Sequence, residues 1–152
     1  MDKKNFAIQQ FKSGFNCAQA VVTAFAGELG IEYDTAIRIT SGFGGGMGRQ
    51  QLTCGALAGA YMVIGYLHGK HAPDDDLANE KTVELIKKFT SDFKGKYGHS
   101  DCFSLIGVDL NSEEGRREAE EKNLFELKCE KFIEQVVDML EKEYITVSRA
   151  PT

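Results

Sequence analysis

The chain has 152 residues, is 42% hydrophobic and 27% charged, and carries a formal net charge of −5. That length suits one domain with its own core, and basic residues scattered among acids argue against nucleic acid or an anionic membrane surface as partner. The opening MDKKNFAIQQFK lacks the apolar stretch of a secretory signal, and the longest apolar run, Gly55 to Leu67, is too short to span a bilayer; the expected setting is cytoplasmic, without a membrane, where thiols stay reduced.

Helical periodicity runs through nearly every segment. Lys3 to Phe15 spaces Ile8, Phe11 and Phe15 along one face, and Cys17 to Leu29 does the same with Cys17, Val21, Ala24, Phe25 and Leu29. A short helix is expected from Thr35 to Thr40 with Asp34 as its N-cap. A glycine loop follows, with five glycines in seven positions, Gly42 to Gly48. The helix from about Cys54 to His68 is apolar nearly all round, which marks it as central and most buried. Its small residues Gly55 and Gly59, with Ala56 and Ala60, form faces that let another helix approach closely.

Beyond the surface loop HGKHAPDDD, Leu77 to Tyr97 reads as a long helix with Val83, Ile86, Phe89, Phe93 and Tyr97 as its stripe. A short helix is expected from near Cys102 to Gly107, and the charged stretch VDLNSEEGRREAEEKN reads as exposed. The last helix, Leu124 to Tyr144, repeats Phe125, Cys129, Phe132, Val136, Leu140 and Tyr144. No strand or internal repeat is read. The expected fold is all-α: a single-domain bundle of about five to seven helices around the small-residue helix at 54–68, spanning 1–147, with a frayed tail at 148–152.

The four cysteines, Cys17, Cys54, Cys102 and Cys129, form no C-x-x-C pair. Three of them follow N-cap residue types: Asn16 before Cys17, Thr53 before Cys54, and Ser100 with Asp101 before Cys102. First-turn positions place a sulfur near free N–H groups and the positive end of the helix dipole, where a thiol ionises more readily. Cys129 sits mid-helix on the apolar stripe between Phe125 and Phe132, so it is expected to face the core, where the others can meet it. The alternative is that each cysteine is a small buried hydrophobe. His99, three before Cys102, reads as an exposed loop histidine rather than an auxiliary ligand.

These positions carry a resemblance over nearly the whole chain. Cys17 in FNCAQAV, the block TCGALAG from Thr53 to Gly59, Cys102 in SDCFSLIG and Cys129 in LKCEKF resemble the redox-active family named for the pattern C…GCAxxG…C…C. The order here, Cys54-Gly55-Ala56-x-x-Gly59, is read as that family's CGAxxG motif. The resemblance implies redox activity residing in the four cysteines, and it implies no particular reaction.

The leading expectation is therefore one redox centre, an iron–sulfur cluster or a zinc or iron ion, with Cys17, Cys54, Cys102 and Cys129 as ligands and Gly44, Gly45, Gly46 and Gly55 bringing backbone close to it. It would exchange electrons with a partner protein or a small oxidant. A second reading needs no metal: Cys54 attacks as a thiolate and Cys17 or Cys102 resolves. A third is a helical module without redox chemistry that holds a small anion at Gly42–Gly48, where Arg49 is the one cation. That loop lacks the Gly-Lys-Ser/Thr ending of a phosphate loop and follows no strand, so neither nucleotide fingerprint applies.

Overall fold

The glycine-rich start of the central helix sets the architecture, because it lets two helices meet at nearly backbone distance. The computed structural model describes residues 1–145; the tail expected at 148–152 and the last residues of the expected 1–147 domain lie outside the described residues. Among the described residues eight α-helices form a single all-α bundle: α1 (Lys3–Lys12), α2 (Cys17–Leu29), α3 (Tyr33–Thr40), α4 (Gly55–His68), α5 (Asp76–Tyr97), α6 (Cys102–Ile106), α7 (Glu113–Glu121) and α8 (Glu130–Met139). π-helical turns at Phe125–Cys129 and Leu140–Tyr144 flank α8. One isolated antiparallel bridge joins Thr53 to Asp101. Among the described residues no helix is long and apolar enough to cross a membrane.

The helix count exceeds the five to seven expected, chiefly because of α7. Its sequence EEGRREAEE has almost no apolar periodicity, yet Ser112 caps it by accepting from the Gly115 N–H, and Glu113 and Glu114 complement the dipole in its first turn. Only Gly115 and Ala119 are buried along it. α3 starts at Tyr33 rather than Thr35, and its N-cap is Glu32, which makes no side-chain capping bond.

α4 is central, as its composition requires. It packs against α2, α5 and α8, while α2 also packs on α1 and α3. Gly55 to Ala60 are all buried, and so are Val63 and Ile64. At Gly59 an added Cβ would lie 3.0 Å from the Val21 Cβ and 3.1 Å from the Ala18 carbonyl oxygen, so glycine sets how closely α2 and α4 approach. On the far side, α5 and α8 interleave rings, with Phe93 edge-on to Phe132 at 5.9 Å.

The buried apolar residues divide into a large cluster and a small one. The large cluster includes Val21, Phe25, Leu57, Ile64, Phe89 and Val136, with Cys54 inside it and Cys17 packed against it. The small cluster is Ile106, Val108, Leu110, Ala119 and Leu124, with Cys102 and Cys129 packed against it. The cysteines thus lie along the seam between the two.

Two glycines of α4 are expected to respond oppositely to substitution. Gly59→Val forces a branched side chain against Val21 and should lower unfolding free energy by about 1–3 kcal/mol. Gly65→Ala adds a methyl with nothing within 4 Å and should raise it by up to about 1 kcal/mol. Urea unfolding midpoints of the two variants, read against the wild type, check both signs.

Candidate functional site

Cys17 is the first residue of α2. The Asn16 side chain accepts from the Gln19 N–H at 2.8 Å, and the Gln19 side chain accepts from the Asn16 N–H at 2.9 Å. This reciprocal cap fixes the helix start, and the Asn16 amide also donates to the Ser41 carbonyl at 3.0 Å, tying α2 to the end of α3. The Cys17 sulfur then meets amide N–H groups from its own helix start (Cys17 and Ala18), from Gly45 in the glycine loop, and from Ala56 in the first turn of α4.

Cys54 is the N-cap of α4 rather than a residue of its first turn, and its side chain makes no capping bond to nitrogen or oxygen. It is buried, with the amides of Leu57 and Ala56 near its sulfur. The Ala56 amide therefore serves both sulfurs. Cys102 opens α6, where Asp101 caps the turn through the Ser104 N–H at 2.8 Å. Its own N–H donates to the Leu52 carbonyl at 2.6 Å, while the Cys54 N–H donates to the Ser100 carbonyl at 2.9 Å. These backbone bonds lock the segment before α4 against the segment before α6.

Cys129 packs on the smaller of the two core clusters. It closes the π turn Phe125–Cys129 and is half-buried rather than deep in the main core. The wider π turn shifts the helical phase, so Cys129 faces the seam beside the small cluster while Phe125 is 37% exposed.

All four cysteines line one pocket of about 660 Å³. Phe11, Phe125, Phe132, Leu105 and Leu110 supply apolar wall, and Asn16, Arg49, Asn111, Arg116 and Glu120 supply polar wall. The glycines explain how the sulfurs reach it. An added Cβ at Gly55 would lie 2.3 Å from the Cys17 sulfur, and one at Gly44 would lie 2.4 Å from the Asn16 Cβ. Gly46, at φ +74°, lies beneath Cys102, with an added Cβ 2.8 Å from that cysteine's Cβ. Gly44, Gly45 and Gly55 line the pocket, and Gly46 is buried outside its lining.

Gln51, which has no role in the sequence reading, holds this wall together. It is buried, its amide donates to the Val108 carbonyl at 2.8 Å, and its oxygen accepts from the Leu110 N–H at 2.8 Å. Its side chain also bonds the Cys102 thiol. A polar residue between Gln50 and Leu52 looks like solvated loop in the sequence; only the fold over 108–110 reveals the clamp. His99 is exposed and is not part of the pocket lining, as expected.

Burial pushes all four thiols upward in pKa, Cys102 to about 11. The expectation of readily ionised thiols at helix starts is thereby corrected: desolvation outweighs the amides that favour the charged form. Charge on Cys17 raises Cys54, Cys102 and Cys129. A negative charge on Cys17 therefore opposes ionisation of the rest.

The metal expectation fails. Among the described residues no group of three or more His, Cys, Asp or Glu is placed to hold a metal ion. A thiolate shell needs every sulfur about 2.3 Å from one ion, and Cys17, Cys54, Cys102 and Cys129 border a pocket instead of closing on a point. An iron–sulfur, zinc or iron centre for electron transfer does not fit them. The resolving-pair alternative fails too, since all four cysteines are free and no two stand near disulfide distance. The Gly42–Gly48 loop is closed through its carbonyls. The N–H groups of Gly48, Arg49, Gln51 and Leu52 bond the carbonyls of Gly42, Gly44, Gly45 and Gly46.

A family model described as "Putative redox-active protein (C_GCAxxG_C_C)" matches residues 15–143. No curated protein and no solved structure matches the chain.

The thiols set a pH dependence. An unfolded Cys102 ionises near its ordinary 9.0, but the folded one keeps its proton to about 11. Between these values the unfolded chain has lost a proton that the native state retains, so stability falls as pH rises; below 9 the contribution is fully present. Melting temperature should fall less steeply over that window in Cys102→Ser than in the wild type. Parallel slopes would contradict it.

Proposed function

We propose, for a chain that belongs to the C_GCAxxG_C_C family, that the pocket is a single-thiolate centre in which Cys17 exchanges with a small oxidised sulfur compound. The observation that carries this reading is the ring of amides around one sulfur: Gly45, Ala18, Cys17 and Ala56 direct N–H groups at Cys17 from two helix starts and a loop. Such a ring stabilises a sulfur anion as it forms, and Cys17 is the thiol whose charge the other three must yield to.

The chemistry balances without a second protein cysteine. The Cys17 thiolate attacks one sulfur of a small disulfide; a new S–S bond forms to Cys17 as the old one breaks, and the released half leaves as a thiolate. A low-molecular-weight thiol then attacks the sulfur of the held half; the S–S bond to Cys17 breaks, the Cys17 thiolate is regenerated, and the held half leaves in a new small disulfide, so the overall reaction exchanges one half of the original disulfide for the incoming thiol. A pocket of about 660 Å³ is the size of a small-molecule site, so the attached half is held beside Cys54, Cys102 and Cys129, which remain neutral and supply a soft, polarizable wall. Four free thiols at one pocket fit a compartment that keeps thiols reduced, which supports a cytoplasmic setting.

Exposure to a small symmetrical disulfide, with mass mapping of adducts over time, tests this. One adduct per chain should form first at Cys17, and Cys17→Ser should react at least about tenfold more slowly. First modification at Cys54 or Cys129, or an undiminished rate in Cys17→Ser, would overturn it.

A further inference from the structure

The thiol end of the pocket does not account for its polar rim. Arg49 and Arg116 both line the pocket, and both are tied to one turn. The Asn111 amide donates to the Arg49 carbonyl at 2.7 Å, and the Arg116 guanidinium donates to the Leu110 carbonyl at 3.0 Å. Among the described residues neither arginine forms an ion pair, although Glu120 borders the same pocket. The rim therefore bears two cations against one carboxylate, in a chain whose net charge is −5.

The placement of Arg49 has a conformational cost. It is not glycine, yet it sits at φ 60°, in a left-handed run with Gly45, Gly46, Met47 and Gly48. A left-handed position is unfavourable for a side-chain-bearing residue, and the bond from Asn111 to its carbonyl holds it there. Its side chain needs no carbonyl of the loop and stays exposed.

From this rim we infer that the sulfur compound exchanging at Cys17 is anionic: it carries a carboxylate, sulfonate or phosphate group that Arg49 and Arg116 hold at the pocket mouth while its sulfur reaches the thiol floor. The inference rests on the single-thiolate reading of the same pocket. The guanidinium side chains meet the anion; of the glycine loop's amides, those of Phe43, Met47 and Gly48 are bonded to backbone carbonyls and that of Gly45 meets Cys17. Guanidinium groups suit this role because they remain charged at all relevant pH values and present paired donors to oxyanions. The apolar wall of Phe11, Phe125 and Phe132 fits the carbon skeleton between the two ends.

Methanethiosulfonates of different charge separate the inference from its premise. In each the Cys17 thiolate attacks the sulfenyl sulfur, the S–S bond to Cys17 forms, methanesulfinate leaves, and the thiol proton passes to solvent. Three reagents are compared on the full chain: methyl (neutral), 2-sulfonatoethyl (anionic) and 2-(trimethylammonium)ethyl (cationic). In the wild type the anionic reagent should label Cys17 faster than the cationic one by about tenfold, the order expected for two nearby charges in a partly hydrated pocket. Dividing each rate by the neutral reagent's rate removes changes in thiol reactivity. That normalised anionic preference should fall by roughly threefold in each of Arg49→Gln and Arg116→Gln, and should vanish in the double variant. Lys70→Gln, at an exposed lysine outside the pocket lining, should leave it unchanged. Circular dichroism confirms folding of each variant. An unchanged preference in the double variant, or faster labelling by the cation in the wild type, overturns the inference. Failure of the neutral reagent to modify Cys17 first overturns the single-thiolate reading itself, whatever the charge preference.

Discussion

The contact between the Cys17 sulfur and the α-carbon of Gly55 is the constraint from which the site follows. A Cβ at Gly55 would stand 2.3 Å from that sulfur and 2.8 Å from the Phe43 carbonyl oxygen, so no other residue fits without displacing one of them. Because the sulfur lies this close, the first turns of α2 and α4 both aim amides at it, and the glycine loop adds a third source through Gly45. Gly59, one turn further along α4, continues the same close approach against Val21. The interior of the bundle and the chemistry of its pocket therefore share one packing requirement: small residues along one face of α4.

Electrostatics then limits what the pocket can do. Each thiol is desolvated, which favours the neutral form, and the amides offset that penalty most extensively around Cys17. A charge there is felt by all three other cysteines. The pocket thus holds one sulfur anion in preference to several. A metal shell needs several thiolates at once, and the same cysteines are not gathered into one. One nucleophile among neutral thiols needs only the arrangement present.

Much of this was legible in the sequence. The apolar, small-residue run from Gly55 onward identified the central helix, and Asn16 and Asp101 marked the starts of α2 and α6. The glycines bring backbone close to individual cysteines and not to one centre: Gly46 makes room for Cys102, and Gly55, at the start of α4, makes room for Cys17. That Cys129 packs on the smaller cluster and is only half-buried was not legible, because a π turn carries no pattern distinguishable from α-helix over five residues. α7 was missed because a nearly uniformly polar helix has no apolar stripe to read; its evidence is a cap and a dipole. Gln51 was invisible because its role depends on a carbonyl and an amide some sixty positions away. Convergence of the four thiols on one centre does not hold, because periodicity supplies direction and not distance, and distance separates a ligand shell from a pocket wall.

The central claim is that Cys17 carries the first negative charge in the pocket and suppresses the others. Following thiolate absorbance in the ultraviolet through an alkaline titration of the folded protein measures this directly. The account predicts one thiolate appearing ahead of the other three in the wild type. In Cys17→Ser that first step should disappear and the remaining thiols should ionise at lower pH, with Cys102 falling below its wild-type value of about 11. Persistence of the first step in Cys17→Ser, or an unshifted titration of Cys102, would contradict it.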